Sequence, residues 1–182
     1  MKNIDQIIAS LTLDEKVSML SGFNSWYTYK IDESNIPSIK MSDGPNGVRG
    51  DSNSGKSSAC FPCAISIGST WDLNLIKNLG VALGEEAQAK DVDVLLGPTI
   101  NIHRHPLGGR HFESFSEDPL LTGKIASNYV QGVQSKNVAA CLKHFVGNDT
   151  EYERHSVSSN IDEQTLREIY LLPFEMGIKE GN

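Results

Sequence analysis

Charged and polar side chains follow the short apolar segments of this sequence in several groups, and these are the residues that could do chemistry. The groups are Asp43 with Arg49, Arg104, Arg110 with Glu113, Lys143 with His144, and Arg154 with Glu151. A lysine at the end of a buried segment needs a hydroxyl or a carboxylate as its partner, which makes Lys143 the most informative of them. The alternative is that these charges only pair with one another beneath the loops.

Arg110 lies on a glycine-rich loop, directly after Gly108-Gly109 and before a predicted helix. Such a loop is a poor place to bury an arginine and a good place from which to direct one at a ligand. We expect Ser116 to cap the helix that follows, with Glu117 and Asp118 favoured by the helix dipole in its first turn.

Composition and short motifs exclude several classes of protein. The chain has 182 residues, 38% hydrophobic and 21% charged, as expected for one globular domain, and its net charge of -7 argues against a nucleic-acid partner. It has no G-x-G-x-x-G, P-loop or H-E-x-x-H motif, so we expect neither a cofactor nor a metal. It has no apolar run typical of a leader peptide or a membrane span, so we expect a cytoplasmic protein with no membrane partner. The oligomeric state is not predicted.

The cysteines and most histidines are expected to be structural. Cys60-Phe61-Pro62-Cys63 has metal or redox spacing but no second ligand pair, so we predict free, buried thiols. Apart from His144, the histidines show no metal-binding spacing and are predicted to be surface or packing residues: His103, His105, His111 and His155.

Hydrophobic periodicity and capping residues predict that strands alternate with helices. The predicted strands cover 36–41, 92–98 and 138–142. The predicted helices cover 4–10, 11–20, 72–90, 117–136 and 162–179, with caps at Thr12, Asp72 and Asp162. Strands joined by long helical crossovers form a parallel sheet, so the fold class is α/β. Open and closed sheets both fit three βα units, but polar clusters after all three strands favour a partial (β/α)₈ barrel, in which every such loop faces one site.

The chain carries a series of motifs in a fixed order, from about residue 10 to the C-terminus. They include Leu13-Asp14-Glu15-Lys16, Ser42-Asp43-Gly44-Pro45-Asn46-Gly47-Val48-Arg49, Arg104-His105-Pro106-Leu107-Gly108-Gly109-Arg110, Ser116-Glu117-Asp118-Pro119 and Lys143-His144-Phe145-Val146-Gly147-Asn148. Together they resemble glycoside hydrolase family 3, in the branch of the bacterial β-glucosidases. The N-acetylglucosaminidase branch has Pro-Gly-His-Gly after Lys-His-Phe and an Asp-x-His acid loop, whereas Glu153 stands two residues before His155 here.

The resemblance implies an N-terminal (β/α)₈ barrel that binds the non-reducing sugar of a β-glucoside or cello-oligosaccharide. It implies that Asp43 accepts hydrogen bonds from hydroxyls of that glucosyl unit. The other implied sugar-binding residues are Arg49, Arg110, Lys143, His144 and Arg154. It also implies hydrolysis with retention, in carbohydrate metabolism, through an aspartyl-glucosyl intermediate. A β-xylosidase-type member is the alternative within the family.

The family's nucleophile, an aspartate in a Ser/Thr-Asp-Trp motif, has no counterpart after Lys143, and the general-acid glutamate is also expected beyond residue 182. Because such barrels take roughly 250 residues, we expect residues 1–182 to be an incomplete N-terminal barrel domain that is inactive alone. The other hypotheses are a non-catalytic sugar-binding module, an unfolded remnant and a phosphosugar-binding α/β enzyme. The last lacks its expected signature, because Gly108-Gly109 precedes an arginine instead of a helix.

Overall fold

The computed structural model, which describes residues 3–50 and 56–181, alternates strands with helices as predicted. Its strands are β1 (Met41–Asp43), β2 (Val94–Leu96) and β3 (Ala139–Ala140). Its helices are α1 (Ile4–Ser10), α2 (Leu13–Ser18), α3 (Ala64–Gly68), α4 (Leu73–Ala89), α5 (Pro119–Gln134), α6 (Glu163–Thr165) and α7 (Leu172–Lys179). Within these described ranges, every helix is too short or too polar to cross a membrane.

The strands form one parallel sheet in the order β1-β2-β3, which confirms the predicted α/β class. Met41 lies opposite Val94, and Val94 lies opposite Ala139. Because the strands are parallel, the chain leaves all three at the same edge of the sheet, which we call the carboxyl edge. The predicted polar groups that follow the strands therefore start from one side of the molecule.

The first strand lies later in the chain than the prediction over 36–41. Ile36 pairs with Ile31 and Lys40 pairs with Tyr27 in antiparallel bridges, and within this stretch the Lys40 carbonyl accepts from the Val94 amide at the start of β2. Pro37 has no amide hydrogen for a strand ladder, which disfavours a regular strand there. As a result, Asp43 is the last residue of β1 and not part of the turn that follows it.

The caps of the two long helices give one confirmed and one wrong prediction. Asp72 caps α4 by accepting hydrogen bonds from the Asn74 and Leu75 amides, as predicted. Asp118 caps α5, whereas Ser116 accepts a hydrogen bond from the Asp118 amide and lies before the helix. The reason is Pro119, which favours the first helical position and keeps the preceding residue out of the helical conformation.

The predicted helix over 162–179 is interrupted. Asp162 is its N-cap as predicted, but a π-helical turn over Leu166–Tyr170 separates α6 from α7. The Leu171 amide donates to the Leu166 carbonyl, one residue further back than in an α-helix. Pro173 cannot donate to the preceding turn, and its ring opposes regular helix there, so the helix has to restart around it.

The core lies between the sheet and the α4–α5 pair. Its side chains with 0% exposure are Val48, Ile76, Leu83, Ala87, Leu95, Ile100, Ala126 and Val133. The two long helices approach each other at Gly80 and Gly132, where an added Cβ would lie 2.4 Å from the Tyr129 carbonyl oxygen and 2.2 Å from the Lys77 carbonyl oxygen. This packing fixes the backbone from which the carboxyl-edge loops start.

The thiols of Cys60 and Cys63 are free but exposed, so the prediction that they are buried is wrong. Cys63 is the N-cap residue of the short helix α3, and its carbonyl accepts from the Ser66 and Ile67 amides. A helix start of this kind lies at the surface, which keeps the neighbouring side chains in solvent.

A buried ion pair ties α4 to the loop after β1. Lys90 Nζ lies 2.9 Å from Glu86 Oε1, and the Glu86 carboxylate also accepts from the amides of Val48 and Ala59. Burial alone would raise the pKa of Glu86, but the hydrogen bonds from Lys90, Val48 and Ala59 outweigh it and hold that pKa below its usual value.

Replacing Glu86 with glutamine is expected to lower the free energy of unfolding by about 2 kcal/mol at pH 7, because Lys90 loses its buried partner. Because the folded-state pKa of Glu86 is the lower one, its stabilisation is complete above the unfolded-state pKa and is lost as the pH falls through the folded-state value. Urea unfolding at pH 7 and at acidic pH measures both effects. Glu163→Gln, which removes an exposed pair with Arg167, is the control and should leave stability almost unchanged. Equal effects of the two variants would contradict this account.

Candidate functional site

An ion pair between Asp43 and Lys143 joins β1 to the segment after β3. Lys143 Nζ lies 2.8 Å from Asp43 Oδ1, and the side chains are 16% and 45% exposed, respectively. The lysine therefore has the carboxylate partner that its position requires. The carboxylate is held by that contact and is still accessible from the solvent side.

The turn after Asp43 holds its carboxylate in place. Gly44 and Gly47 have φ of 128° and 150°. An added Cβ would lie 2.0 Å from the Gly47 carbonyl oxygen at the first position and 1.9 Å from the Ala59 carbonyl oxygen at the second, so only glycine fits at either. Arg49 closes the turn by donating its amide hydrogen to the Asp43 carbonyl. Burial favours a higher pKa for Asp43, but the hydrogen bond and charge of Lys143, the Gly44 amide and the Arg49 charge lower it below its usual value.

Arg110 is half-buried and has partners from two loops. Its Nε lies 2.5 Å from Glu113 Oε1, and its Nη2 lies 3.1 Å from His144 Nε2. Glu151 Oε2 lies 3.8 Å from the same Nε. Because His144 directly follows Lys143, a continuous series of contacts runs from Asp43 to Arg110.

His144 is an uncharged member of this set. Burial, followed by the charges of Arg110 and Lys143, lowers its pKa to about 4. Near pH 7 the imidazole is therefore neutral and can accept one hydrogen bond and donate one.

The remaining predicted residues lie at the exposed rim. Arg154 forms an ion pair with Glu151, which links it to Arg110, and its side chain is 41% exposed. Arg49 is exposed and joins the set through its backbone and its charge near Asp43. Arg104 forms an ion pair with the buried Asp149 at 3.0 Å. In the unliganded chain, Lys143, Arg110 and Arg154 thus each pair with a carboxylate, as the alternative hypothesis of charges that pair with one another expects. The Asp43 carboxylate nevertheless stays accessible.

Comparison with known proteins identifies the family of the chain. Residues 3–182 match the family described as the glycosyl hydrolase family 3 N terminal domain. The chain belongs to glycosyl hydrolase family 3.

Relatives of this family 3 chain support the assignment. It is 54% identical over 180 residues to a β-glucosidase of Rhizobium radiobacter and 51% identical over 180 residues to β-glucosidase B of Emericella nidulans. Each alignment covers 98% of this chain but only 22% and 21% of the relative. The chain therefore spans about a fifth of the length of these curated relatives.

Solved structures of the family have the same backbone arrangement. The β-glucosidase of Kluyveromyces marxianus in complex with glucose superposes with a TM-score of 0.94 at 46% identity, covering 98% of this chain and 22% of that one. β-Glucosidase 3B of Thermotoga neapolitana in complex with glucose gives a TM-score of 0.90 at 40% identity, covering 99% of this chain and 28% of that one.

Two residues of this family 3 chain that contact site side chains were not predicted as site residues. Thr99 and Asn101 lie just beyond β2, where Thr99 pairs with Lys143 in a parallel bridge. Thr99 Oγ1 donates to Glu113 Oε2 at 3.4 Å, and Asn101 contacts His144 through both amide atoms. Their two-residue spacing after a buried strand was the available signal, since residues i and i+2 of an extended segment share a face.

The other histidines are placed as predicted at the surface or in packing contacts. His103 Nε2 lies 2.9 Å from the Ser114 carbonyl oxygen, and its ring packs against that of His111 at 5.0 Å. His105 and His155 are exposed. Across residues 3–50 and 56–181, no cluster of three or more histidine, cysteine or acidic side chains is arranged to hold a metal ion.

Proposed function

We propose that this chain supplies the glucosyl-binding part of a β-glucosidase active site. In this proposal, residues 1–182 are part of an N-terminal (β/α)₈ barrel, and the substrate is a terminal β-glucoside or a cello-oligosaccharide. The β-glucosidase names of its relatives and the glucose bound to two similar structures support the sugar assignment. The three parallel strands, whose polar loops share one edge, support the barrel.

The observation that carries the proposal is the accessible Asp43 carboxylate held between Lys143 and its own turn. One carboxylate can accept hydrogen bonds from two vicinal hydroxyls of a pyranose. Lys143 and Arg110 each keep donors for hydroxyl oxygens after satisfying their protein partners. Such contacts can strengthen as the sugar ring flattens toward an oxocarbenium-like transition state.

The charge balance of the site favours a neutral sugar over a phosphosugar. Lys143 faces Asp43, Arg110 faces Glu113, and Arg154 faces Glu151. A site for a phosphate group would leave cations or a helix N-terminus unpaired for it. Here each of these cations already has a carboxylate, so a polyhydroxylated, uncharged ligand fits better.

In this proposal the bond-breaking groups come from elsewhere in the longer enzyme. The nucleophile would be an aspartate of a Ser/Thr-Asp-Trp motif, and the acid would be a glutamate. In this proposal, no residue of this chain acts as the nucleophile or as the acid. The complete site would then act with retention, through a covalent glucosyl intermediate.

The 182-residue chain is expected to bind glucose with a Kd on the order of 1 mM and to leave a chromogenic β-glucoside intact. Calorimetry measures the first and absorbance the second. Arg110→Ala should abolish measurable glucose binding, whereas Arg167→Ala, at an exposed position on the Leu166–Tyr170 turn, should not change it. Failure of the unaltered chain to bind glucose, or tighter binding of xylose than of glucose, would overturn the glucosyl assignment. Turnover by the pure chain that disappears in Asp43→Ala would overturn the placement of the catalytic groups.

A further inference from the structure

Asn101 is a buried amide whose contacts converge on a single residue. Asn101 is 2% exposed, and its side-chain Nδ2 donates to the His144 carbonyl oxygen at 3.0 Å. Its Oδ1 accepts from the His144 amide at 2.9 Å and lies 3.3 Å from His144 Nδ1. Asn101 thus contacts both the backbone and the ring of one member of the proposed sugar site.

These backbone contacts fix which way the amide group points. A rotated amide would place Nδ2 against the His144 N–H and Oδ1 against its carbonyl, leaving a donor facing a donor and an acceptor facing an acceptor. In a buried site, such unsatisfied groups are costly. The atom that faces His144 Nδ1 is therefore an acceptor, and Nδ1 must carry the hydrogen.

The opposite side of the ring leads independently to the same tautomer. A guanidinium group has only donors, and Arg110 Nη2 lies 3.1 Å from His144 Nε2. Nε2 must therefore present a lone pair. One neutral tautomer, with the hydrogen on Nδ1, satisfies both contacts, and the pKa of about 4 keeps the ring neutral.

The second anchor of Arg110 comes from the same segment. Thr99, two residues before Asn101, donates to Glu113, whose other oxygen lies 2.5 Å from Arg110 Nε. The segment after β2 therefore supports the two side chains that are hydrogen-bonded to the guanidinium, Glu113 and His144. Its own position is set by the Ile100 amide, which donates to the Lys143 carbonyl at 2.7 Å.

We propose that Asn101 is a positioning residue that fixes His144 as its neutral Nδ1–H tautomer, so that Nε2 accepts from Arg110 and orients its guanidinium in the sugar pocket. The ligand in this inference rests on the proposed function, but the tautomer does not. His144 then serves as a hydrogen-bond acceptor for Arg110, neither a cation nor a proton donor at Nε2.

The test is the ¹⁵N spectrum of the histidine rings in the full 182-residue chain at pH 7, combined with glucose titration. The His144 signals are those missing from the spectrum of His144→Gln. We expect a protonated Nδ1 and an unprotonated Nε2. Asn101→Leu removes the acceptor that holds Nδ1–H and the orientation of the ring, so the ring should turn away from Arg110. The hydrogen should then move toward Nε2, and glucose binding should weaken about tenfold, equivalent to one hydrogen bond.

Asn101→Asp provides a second variant, because one carboxylate oxygen still accepts from the His144 amide and from Nδ1–H, although the other oxygen then faces the His144 carbonyl oxygen and should lower stability. It should keep the wild-type tautomer, raise the pKa of His144 and retain glucose affinity within about threefold. Asn128→Leu, which removes an amide contact to the Lys124 carbonyl on α5, is the control and should leave the His144 signals unchanged.

A hydrogen on Nε2 in the unaltered chain, or the same tautomer in Asn101→Leu, would overturn the inference whatever the ligand. Failure of the unaltered chain to bind glucose, with Nδ1 protonated as expected, would overturn the proposed function and support the positioning role. Loss of the Nδ1–H tautomer in Asn101→Asp would also overturn the inference.

Discussion

Asp43→Asn is expected to weaken glucose binding by the 182-residue chain about a hundredfold or more. The amide keeps the shape of the carboxylate but loses its charge and one of its two acceptor oxygens. Charge-assisted hydrogen bonds contribute about 1.5–3 kcal/mol each, so losing one such bond to a sugar hydroxyl and the charge from the other gives an effect of this size. Calorimetric titration with glucose measures it.

The same variant removes the charge partner of Lys143, so stability has to be measured alongside binding. Asp32→Asn is the matched control, since Asp32 also pairs with a lysine, Lys30, but at an exposed position. We expect the control to bind glucose like the unaltered chain. Glucose binding by folded Asp43→Asn at wild-type affinity would show that this carboxylate does not contact the sugar.

Gly132→Val is expected to cost about 4 kcal/mol of unfolding free energy or to prevent folding. The added Cβ would lie 2.2 Å from the Lys77 carbonyl oxygen and 2.8 Å from the Gly80 Cα. Both are backbone atoms of α4, so the contact can be relieved only by separating the two helices. Urea unfolding followed by circular dichroism measures the loss.

Gln134→Val, at an exposed position on the same helix, controls for the lower helix propensity of valine and should cost about 0.5 kcal/mol. If Gly132→Val stayed within about 1 kcal/mol of the unaltered chain, the close approach of α4 and α5 would be incorrect.

Local signals in the sequence were sufficient for the long helices and for the parallel sheet. Asp72 followed by apolar residues at helical spacing predicted α4 to within one residue at its end. The wrong predictions come from residues whose effect depends on a neighbour. Ser116 is a good cap in isolation, but Pro119 moves the helix start so that Asp118 takes that role. Pro173 likewise interrupts the last helix, although the apolar pattern continues through it.

The site was predicted as a set of residues but not as a set of contacts. Strand order and residue type were enough to bring Asp43, Lys143 and Arg110 to one edge. Their pairing is a property of the folded chain, because Asp43 and Lys143 are one hundred residues apart in sequence. Asn101 received no predicted role for the same reason, since its importance comes from contacts with His144.

The most direct measurement is a glucose titration of the ¹⁵N-labelled chain followed through its backbone amide signals. The central claim is that side chains from separate loops surround one monosaccharide. It predicts saturable changes at Asp43, Arg110, Lys143 and His144 that fit a single dissociation constant. Changes confined to another surface, such as the apolar groove beside Phe61 and Leu79, with these signals unmoved, would contradict it.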